Sequence, residues 1–217
     1  IGRDLFARFL YGGRVSLMVG MLSSMFGMLI GVPLGLLAGF YRGWIETIIM
    51  RAADIFMSFP SIIFILVLVA VVGPSVWSVT LVIGFLGWTQ FARLIYANVL
   101  SIREKEYVES ARAIGTSDFV TILRYILPNS FAPILVAATF MTASAIIMES
   151  SLSFLGMGVQ PPAASWGNML FDARSITVLS TRAWQWLPPG LALVLTVLSI
   201  NFVGDGVRDA LDPKLKI

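Results

Sequence analysis

Residues 103–129 read REKEYVESARAIGTSDFVTILRYILPN, a polar stretch set between two long apolar runs. Its centre, Glu109-Ser110-Ala111-Arg112-Ala113-Ile114-Gly115, predicts a short helix with glycine at the position after the cap, where a residue without Cβ is favoured. Glu109 suits the positive end of that helix dipole. Ser117 or Asp118 can cap a second short helix, in which Phe119, Ile122, Leu123 and Ile126 share one face and Pro128 is the expected stop. A loop of this size cannot build its own core. The small side chains Ser110, Ala111 and Ala113 leave a helix surface able to sit in a groove of another protein. A connecting loop with two amphipathic turns is the plainer reading of the same spacing.

The flanking composition decides the class. Of 217 residues, 58% are hydrophobic and 12% charged, with a mean hydropathy of +0.88. Soluble domains carry about 25% charged residues, so this is an integral membrane protein. Its apolar runs are too long for barrel strands and predict helices. Cysteine and histidine are both absent. That removes disulfides, Cys or His metal sites, thiol nucleophiles and imidazole acid–base chemistry. The net charge of +3 bears on orientation in the bilayer and does not point to nucleic acid.

Five spans are expected, at residues 15–41, 48–72, 76–101, 131–155 and 188–203. Residues 1–14 predict a separate amphipathic helix on the membrane surface, carrying Arg3, Asp4, Arg8 and Arg14 among Leu5, Phe6, Phe9 and Leu10. Pro33 predicts a kink, and Arg51, Asp54 and Pro60 interrupt the second run. With alternating spans, Arg42, Arg51, Arg93, Arg103, Lys105, Arg112, Arg124, Arg208, Lys214 and Lys216 share one face, and Arg3, Arg8, Arg14, Arg174 and Arg182 the other. The larger set places residues 103–129 and the C-terminus in the cytoplasm. Trp77, Trp166, Trp184 and Trp186 then fall at the outer boundary. A chain that opens on Ile1, with an outward N-terminus, leads us to expect one further span upstream.

Ser23, Gly27, Gly31, Gly35 and Gly39 recur at every fourth residue and form a thin ridge. We read it as a helix-packing surface, for a tight bundle or a second permease-like subunit, ahead of a pore lining. Glu149 is the outstanding intramembrane acid, about 24 Å along its helix from Pro133, and with Ser150 and Ser153 it is a candidate for the translocation path. A structural bond capping the Ser150–Gly156 stretch is the reading we put ahead of the path. Arg51 and Asp54 predict a local ion pair. Residues 156–187 are too long for a simple turn. A short helix at 165–175 would receive an external binding protein, gate the path, or anchor at the interface through Trp166. Asp205, Arg208, Asp209 and Asp212 predict a solvated helix end bracing the 103–129 loop.

Glu109-Ser110-Ala111, Gly115 and Leu127-Pro128 together closely resemble the "EAA" loop of permease subunits in bacterial ABC importers. Ser110 replaces the usual first alanine, and Tyr125 stands where isoleucine is typical. A narrower resemblance covers nearly the whole chain. Asp4-Leu5-Phe6-Ala7-Arg8, Tyr11-Gly12-Gly13-Arg14, Arg51-Ala52-Ala53-Asp54 and Phe59-Pro60 look like the dipeptide/oligopeptide/nickel permease family. So do Glu149-Ser150-Ser151-Leu152-Ser153-Phe154-Leu155-Gly156, Gln160-Pro161-Pro162, Ser165-Trp166-Gly167, Asn201-Phe202-Val203-Gly204-Asp205, Arg208-Asp209 and Asp212-Pro213. They point to the second, C-type permease of the pair.

The resemblance implies one all-α permease domain over 1–217, a polytopic bundle of about five spans where the family normally has six. It implies an external segment at 1–14, a cytoplasmic coupling loop at 103–129 and an external segment at 156–187. Glu109, Ser110, Ala111, Ala113, Gly115, Leu127 and Pro128 would then couple to an ATPase. The implied partners are a second homologous permease, two cytoplasmic ATPase subunits, an extracytoplasmic solute-binding protein and the bilayer of a bacterial or archaeal inner membrane. The implied solutes are small peptides or nickel. ATP and Mg would belong to the partners, because no Gly-x-x-x-x-Gly-Lys-Ser/Thr run exists to cradle phosphates. The chain is thus expected to be a transport subunit and no enzyme by itself. A rival class, a carrier or channel driven by an ion gradient, needs midplane acids or broken helices.

Overall fold

The computed structural model describes residues 4–211, which form only helices and turns. Arg3, Asp212, Pro213, Lys214 and Lys216, each given a role above, lie outside the described residues. The first helix, α1, spans Leu5–Tyr41 without interruption. It begins where the Asp4 carboxylate accepts from the Phe6 and Ala7 amides at 2.9 and 3.1 Å. This corrects the expectation of a separate surface helix over 1–14: residues 5–14 are the opening turns of the long helix. The reason is packing. Gly12 and Gly13 are buried against Ser165 and Trp166, so the glycine pair is a close approach rather than a break. Pro33 also sits inside the unbroken helix.

The glycine ridge finds its partner within the chain, on α4 (Val76–Arg103). Ser23 Oγ donates to the Thr80 carbonyl at 2.9 Å. Farther along, Gly27 meets Gly84 and Gly87, Gly31 meets Trp88 and Phe91, Gly35 meets Ala92 and Ile95, and Gly39 meets Val99. A Cβ at Gly35 would stand 2.6 Å from the Ala92 carbonyl, and one at Gly39 2.7 Å from Val99 Cβ. In lipid such backbone approach, together with hydrogen bonds between helices, replaces the hydrophobic effect as the association force.

Residue numbers on the two helices rise together along this contact, so α1 and α4 run parallel. The chain must therefore cross back between them, and α2 (Gly43–Met57) with α3 (Ser61–Val72) makes that return. The two are bent by 86° to each other. Pro60 caps α3 and has no N–H to continue the preceding helix. Trp88 and Ala92 of α4 take the Ala53 face of α2, and Ile65 and Val69 of α3 join Val79 and Ile83. The return is one broken crossing.

After α5 (Glu106–Ala113), α6 (Asp118–Thr121) runs through a π turn at Ile122–Ile126 into α7 (Leu127–Phe154). The expected stop at Pro128 is thus corrected: the helix continues through it. In the widened turn the Leu127 amide reaches back to the Ile122 carbonyl. The local change of register accommodates a proline that would otherwise clash with the carbonyl four residues earlier. Helix α7 runs antiparallel to α1, with Ser24 Oγ donating to the Ala138 carbonyl at 2.9 Å. It ends at Leu155 and at Gly156, whose φ is +87°.

The segment 156–182 holds α8 (Trp166–Phe171), a 3-10 turn at Asp172–Arg174 and α9 (Ile176–Thr181). The last helix, α10, spans Ala183–Leu211 and packs on α7 where Gly204 meets Thr139. It starts before Pro188 and extends past Val203, because hydropathy marks the apolar middle of a helix and not its ends. Asp205, Arg208 and Asp209 are therefore helical.

Candidate functional site

The residues called for coupling lie at one end of the bundle, here termed the hairpin end. Val108 of α5 is buried in a cluster with Leu36, Phe40, Ile102, Ile122 and Ile126, and Ala111 is buried as well. The Arg112 guanidinium lies 5.1 Å from the Phe40 ring centroid. Arg103 Nη1 donates to the Gly39 and Phe40 carbonyls at 3.3 and 3.0 Å, filling the open C-terminal end of α1. Gly115 has φ +83°, its amide bonds to the Arg112 carbonyl at 3.0 Å, and the Thr116 amide bonds to the Ala111 carbonyl at 3.1 Å. These two bonds make the Schellman cap expected from the glycine. Ser117 stands at the cap of α6 but offers no side-chain bond to it.

The opposite surface of the hairpin is open. Glu109, Ser110 and Ala113 are exposed, as are Leu123 and Pro128. Ile114 is 83% and Phe119 71% exposed, and Tyr107 of α5 is exposed as well. The expected single face of Phe119, Ile122, Leu123 and Ile126 is split: Ile122 and Ile126 point into the core, Phe119 and Leu123 away from it. Ile114 was not singled out by the sequence, although an apolar side chain just before the cap glycine was a usable signal.

Glu149 occupies the far end, fully buried. Ser16 Oγ donates to its Oε2 at 3.0 Å and Ser153 Oγ to its Oε1 at 2.7 Å, with Ser150 Oγ at 3.4 Å. The serines carry the network onward. The Trp166 amide donates to Ser16 Oγ at 3.2 Å, and the Val159 amide to Ser153 Oγ at 3.1 Å. Trp166 Nε1 reaches the Phe9 carbonyl at 3.1 Å, and a Cβ on Gly13 would stand 2.7 Å from the indole ring. Trp166 is therefore buried where it packs α8 against α1, which corrects its reading as an interfacial anchor. Glu149, Ser150 and Ser153 form a closed junction of α1, α7 and the 156–171 strap, and line none of the clefts described below. Ser16 and Ser165 belong to that junction; Ser16 escaped the sequence reading, and Ser165 entered it only as part of a motif.

Two of the clefts on the bundle surface flank α4. One of about 920 Å³ lies between α4, α7 and α10, lined by Gln90, Leu94, Asn129, Phe140, Ser144 and Arg208 among others. The other, of about 430 Å³, lies between α2 and α4 and holds Glu46, Arg51, Asp54, Arg93 and Tyr96. The expected Arg51–Asp54 pair is present at 3.4 Å. Asp54 is also paired with Arg93 of α4, and the Tyr96 hydroxyl donates to Glu46. Arg93 was missed because it stands 39 residues from Asp54.

With this geometry, known proteins place the chain clearly. The model of the family described as binding-protein-dependent transport system inner membrane component matches residues 31–217. A protein of Brucella ovis named as a candidate peptide permease is 47% identical over all of this chain and 72% of its own length. The glutathione transport system permease protein GsiD of Pectobacterium atrosepticum is 45% identical, covering 100% of this chain and 71% of that protein. The dipeptide transport system permease protein DppC of Alkalihalophilus pseudofirmus is 43% identical, covering 99% and 70%. Among solved structures, the inward-facing MetNI methionine ABC transporter superposes with a TM-score of 0.81 over 98% of this chain and 100% of that one, at 20% identity. That likeness concerns the fold.

Proposed function

The chain belongs to the family of binding-protein-dependent transport system inner membrane components, and on that premise we propose that it forms half of the translocation path of an ATP-driven importer for small peptides. The names of the relatives, which include dipeptide and glutathione permeases, support that solute class. The observation that carries the coupling assignment is the two-faced hairpin. One face of α5 is turned inward, with Val108 packed in the core cluster, Ala111 buried and Arg112 over the Phe40 ring of α1, while Arg103 ties the end of α4 to that of α1; the other face leaves Glu109, Ser110, Ala113 and the neighbouring Ile114 exposed.

In this reading the hairpin end is cytoplasmic and docks in a cleft of an ATPase subunit. A second homologous permease supplies the other half of the path. Closure of the ATPase pair pushes α5, and the rigid joint to α1 and α4 passes the displacement to the spans. An external binding protein delivers solute at the far end. Leu127 and Pro128, inside a continuous helix, make the hairpin's return an extension of α7 rather than a hinge, so motion of α6 is motion of α7.

Uptake of radiolabelled dialanine into proteoliposomes holding the assembled transporter tests the proposal. Uptake is expected to need ATP on the ATPase side and the binding protein on the other. Uptake driven by a proton or sodium gradient, without ATP, would replace the importer with an ion-coupled carrier.

A further inference from the structure

The exposed surfaces of the spanning helices differ in chemistry. Helix α1 presents Met21, Met25 and Leu29, and α10 presents Leu191, Leu195 and Leu198, all suited to lipid. On the half of α4 nearer the hairpin, the exposed residues are Gln90, Arg93, Leu94, Ala97 and Ser101. Their spacing puts them in one strip down the helix. The strip is also the ridge between the two clefts, since Gln90 and Leu94 line the larger and Arg93 the smaller.

Depth makes this strip costly in lipid. Helix α4 has 28 residues, which is about 42 Å, against a hydrocarbon core of about 30 Å. With the helix centred, Arg93 enters about 9 Å inside the boundary nearer the hairpin. An arginine at that depth facing lipid would turn its head toward the interface. Here it reaches sideways to Asp54, whose short side chain cannot reach the interface at all. Both groups remain about two-fifths exposed. A half-open ion pair inside the hydrocarbon marks an aqueous path by default. It also sits beside the 86° break of α2 and α3, and transporters place solute sites at broken helices.

We propose that the Gln90–Ser101 strip lines the solute path on the hairpin side of the membrane, and that the Asp54–Arg93 pair in it is exchanged by a peptide-like solute. The solute carboxylate takes Arg93 and its ammonium group takes Asp54, so neither charge is left unpaired as the pair opens. Arg51, the second partner of Asp54, holds the carboxylate in place meanwhile. This inference rests on the reading of the chain as a peptide permease.

The chain has no cysteine, so Ala97→Cys, Ser101→Cys and a lipid-facing control, Met25→Cys, can each be introduced into the complete transporter. A membrane-impermeant thiol reagent is applied to inside-out vesicles, and labelling is read on this chain. The positions at 97 and 101 are expected to react and the control to stay inert. Dialanine should slow the reaction of Ala97→Cys, its C-terminal amide should not, and adding Arg93→Ala should weaken that protection about tenfold, the worth of a charge-assisted hydrogen bond. If 97 and 101 are as inert as the control, the strip faces lipid or a partner and the inference is wrong. Equal protection by dialanine and its amide, unchanged by Arg93→Ala, would make the pair a clamp between α2 and α4. Absence of ATP-driven dialanine uptake by the unsubstituted transporter would remove the peptide-permease reading itself.

Discussion

The hairpin at 103–129 and the strap at 156–171 are both short excursions from the same bundle, at its two ends, and they are built in opposite ways. The strap turns its polar groups inward. Ser165, Trp166 and Val159 bond into the network around Glu149, and Gly167 packs so closely that a Cβ there would meet Ser150 Cα at 2.5 Å. The hairpin buries one narrow face and leaves Ile114 and Phe119 in the open. A segment held by its own chain fills its hydrogen bonds and voids internally, whereas one held partly by another protein leaves large apolar side chains unpaired. Under the proposed function, the contrast separates a lock at one end from a lever at the other.

The strongest way to break the comparison is Glu149→Ala. It leaves Ser16 and Ser153 hydroxyls buried without their acceptor, an expected loss of about 3 kcal/mol. Thermal unfolding in detergent measures it, and proteolysis should then cut first within the strap. Glu149→Gln, which keeps an acceptor oxygen, is expected to lose about half as much. If Glu149→Ala is neutral, the lock is no lock.

A smaller effect is expected at Gly115→Val. A β-branched residue at φ +83° costs about 1–2 kcal/mol, confined to the hairpin. The check is ATP hydrolysis by the assembled transporter with and without binding protein: the stimulated rate should fall toward the basal one as the cap of α5 loosens. The smallest effect on stability belongs to Ile114→Ser and Phe119→Ser. Surface substitutions without internal contacts stay within about 0.5 kcal/mol. Their affinity for the ATPase should nonetheless fall about tenfold, as apolar anchors at an interface do. Loss of stability with unchanged affinity would reverse the roles assigned to the two ends.

Local chemistry made part of this legible beforehand. The hydropathic runs marked the crossings, and the cap at Gly115 followed from the need for positive φ. The glycine ridge declared its own periodicity, though not that α4 would fill it. What escaped reading depends on groups distant in the chain. Trp166 looked interfacial because its burial depends on Gly12 and Gly13, and the Ser16 partner of Glu149 was out of view because it lies 133 residues away. Pro128 was read as a stop because nothing in residue propensity signals the π register before it. The residues proposed for coupling come from resemblance to a family motif, and the geometry adds which of them face outward.

The most direct test of the lever is a crosslink from Ala113→Cys, an exposed position in a chain with no other cysteine. In the transporter assembled with its ATPase, the engineered thiol is expected to crosslink to the ATPase subunit, with a yield that changes when ATP is bound. A complex that transports while this thiol remains freely reactive toward water-soluble reagents, with and without ATP, and never joins the ATPase would contradict the coupling assignment.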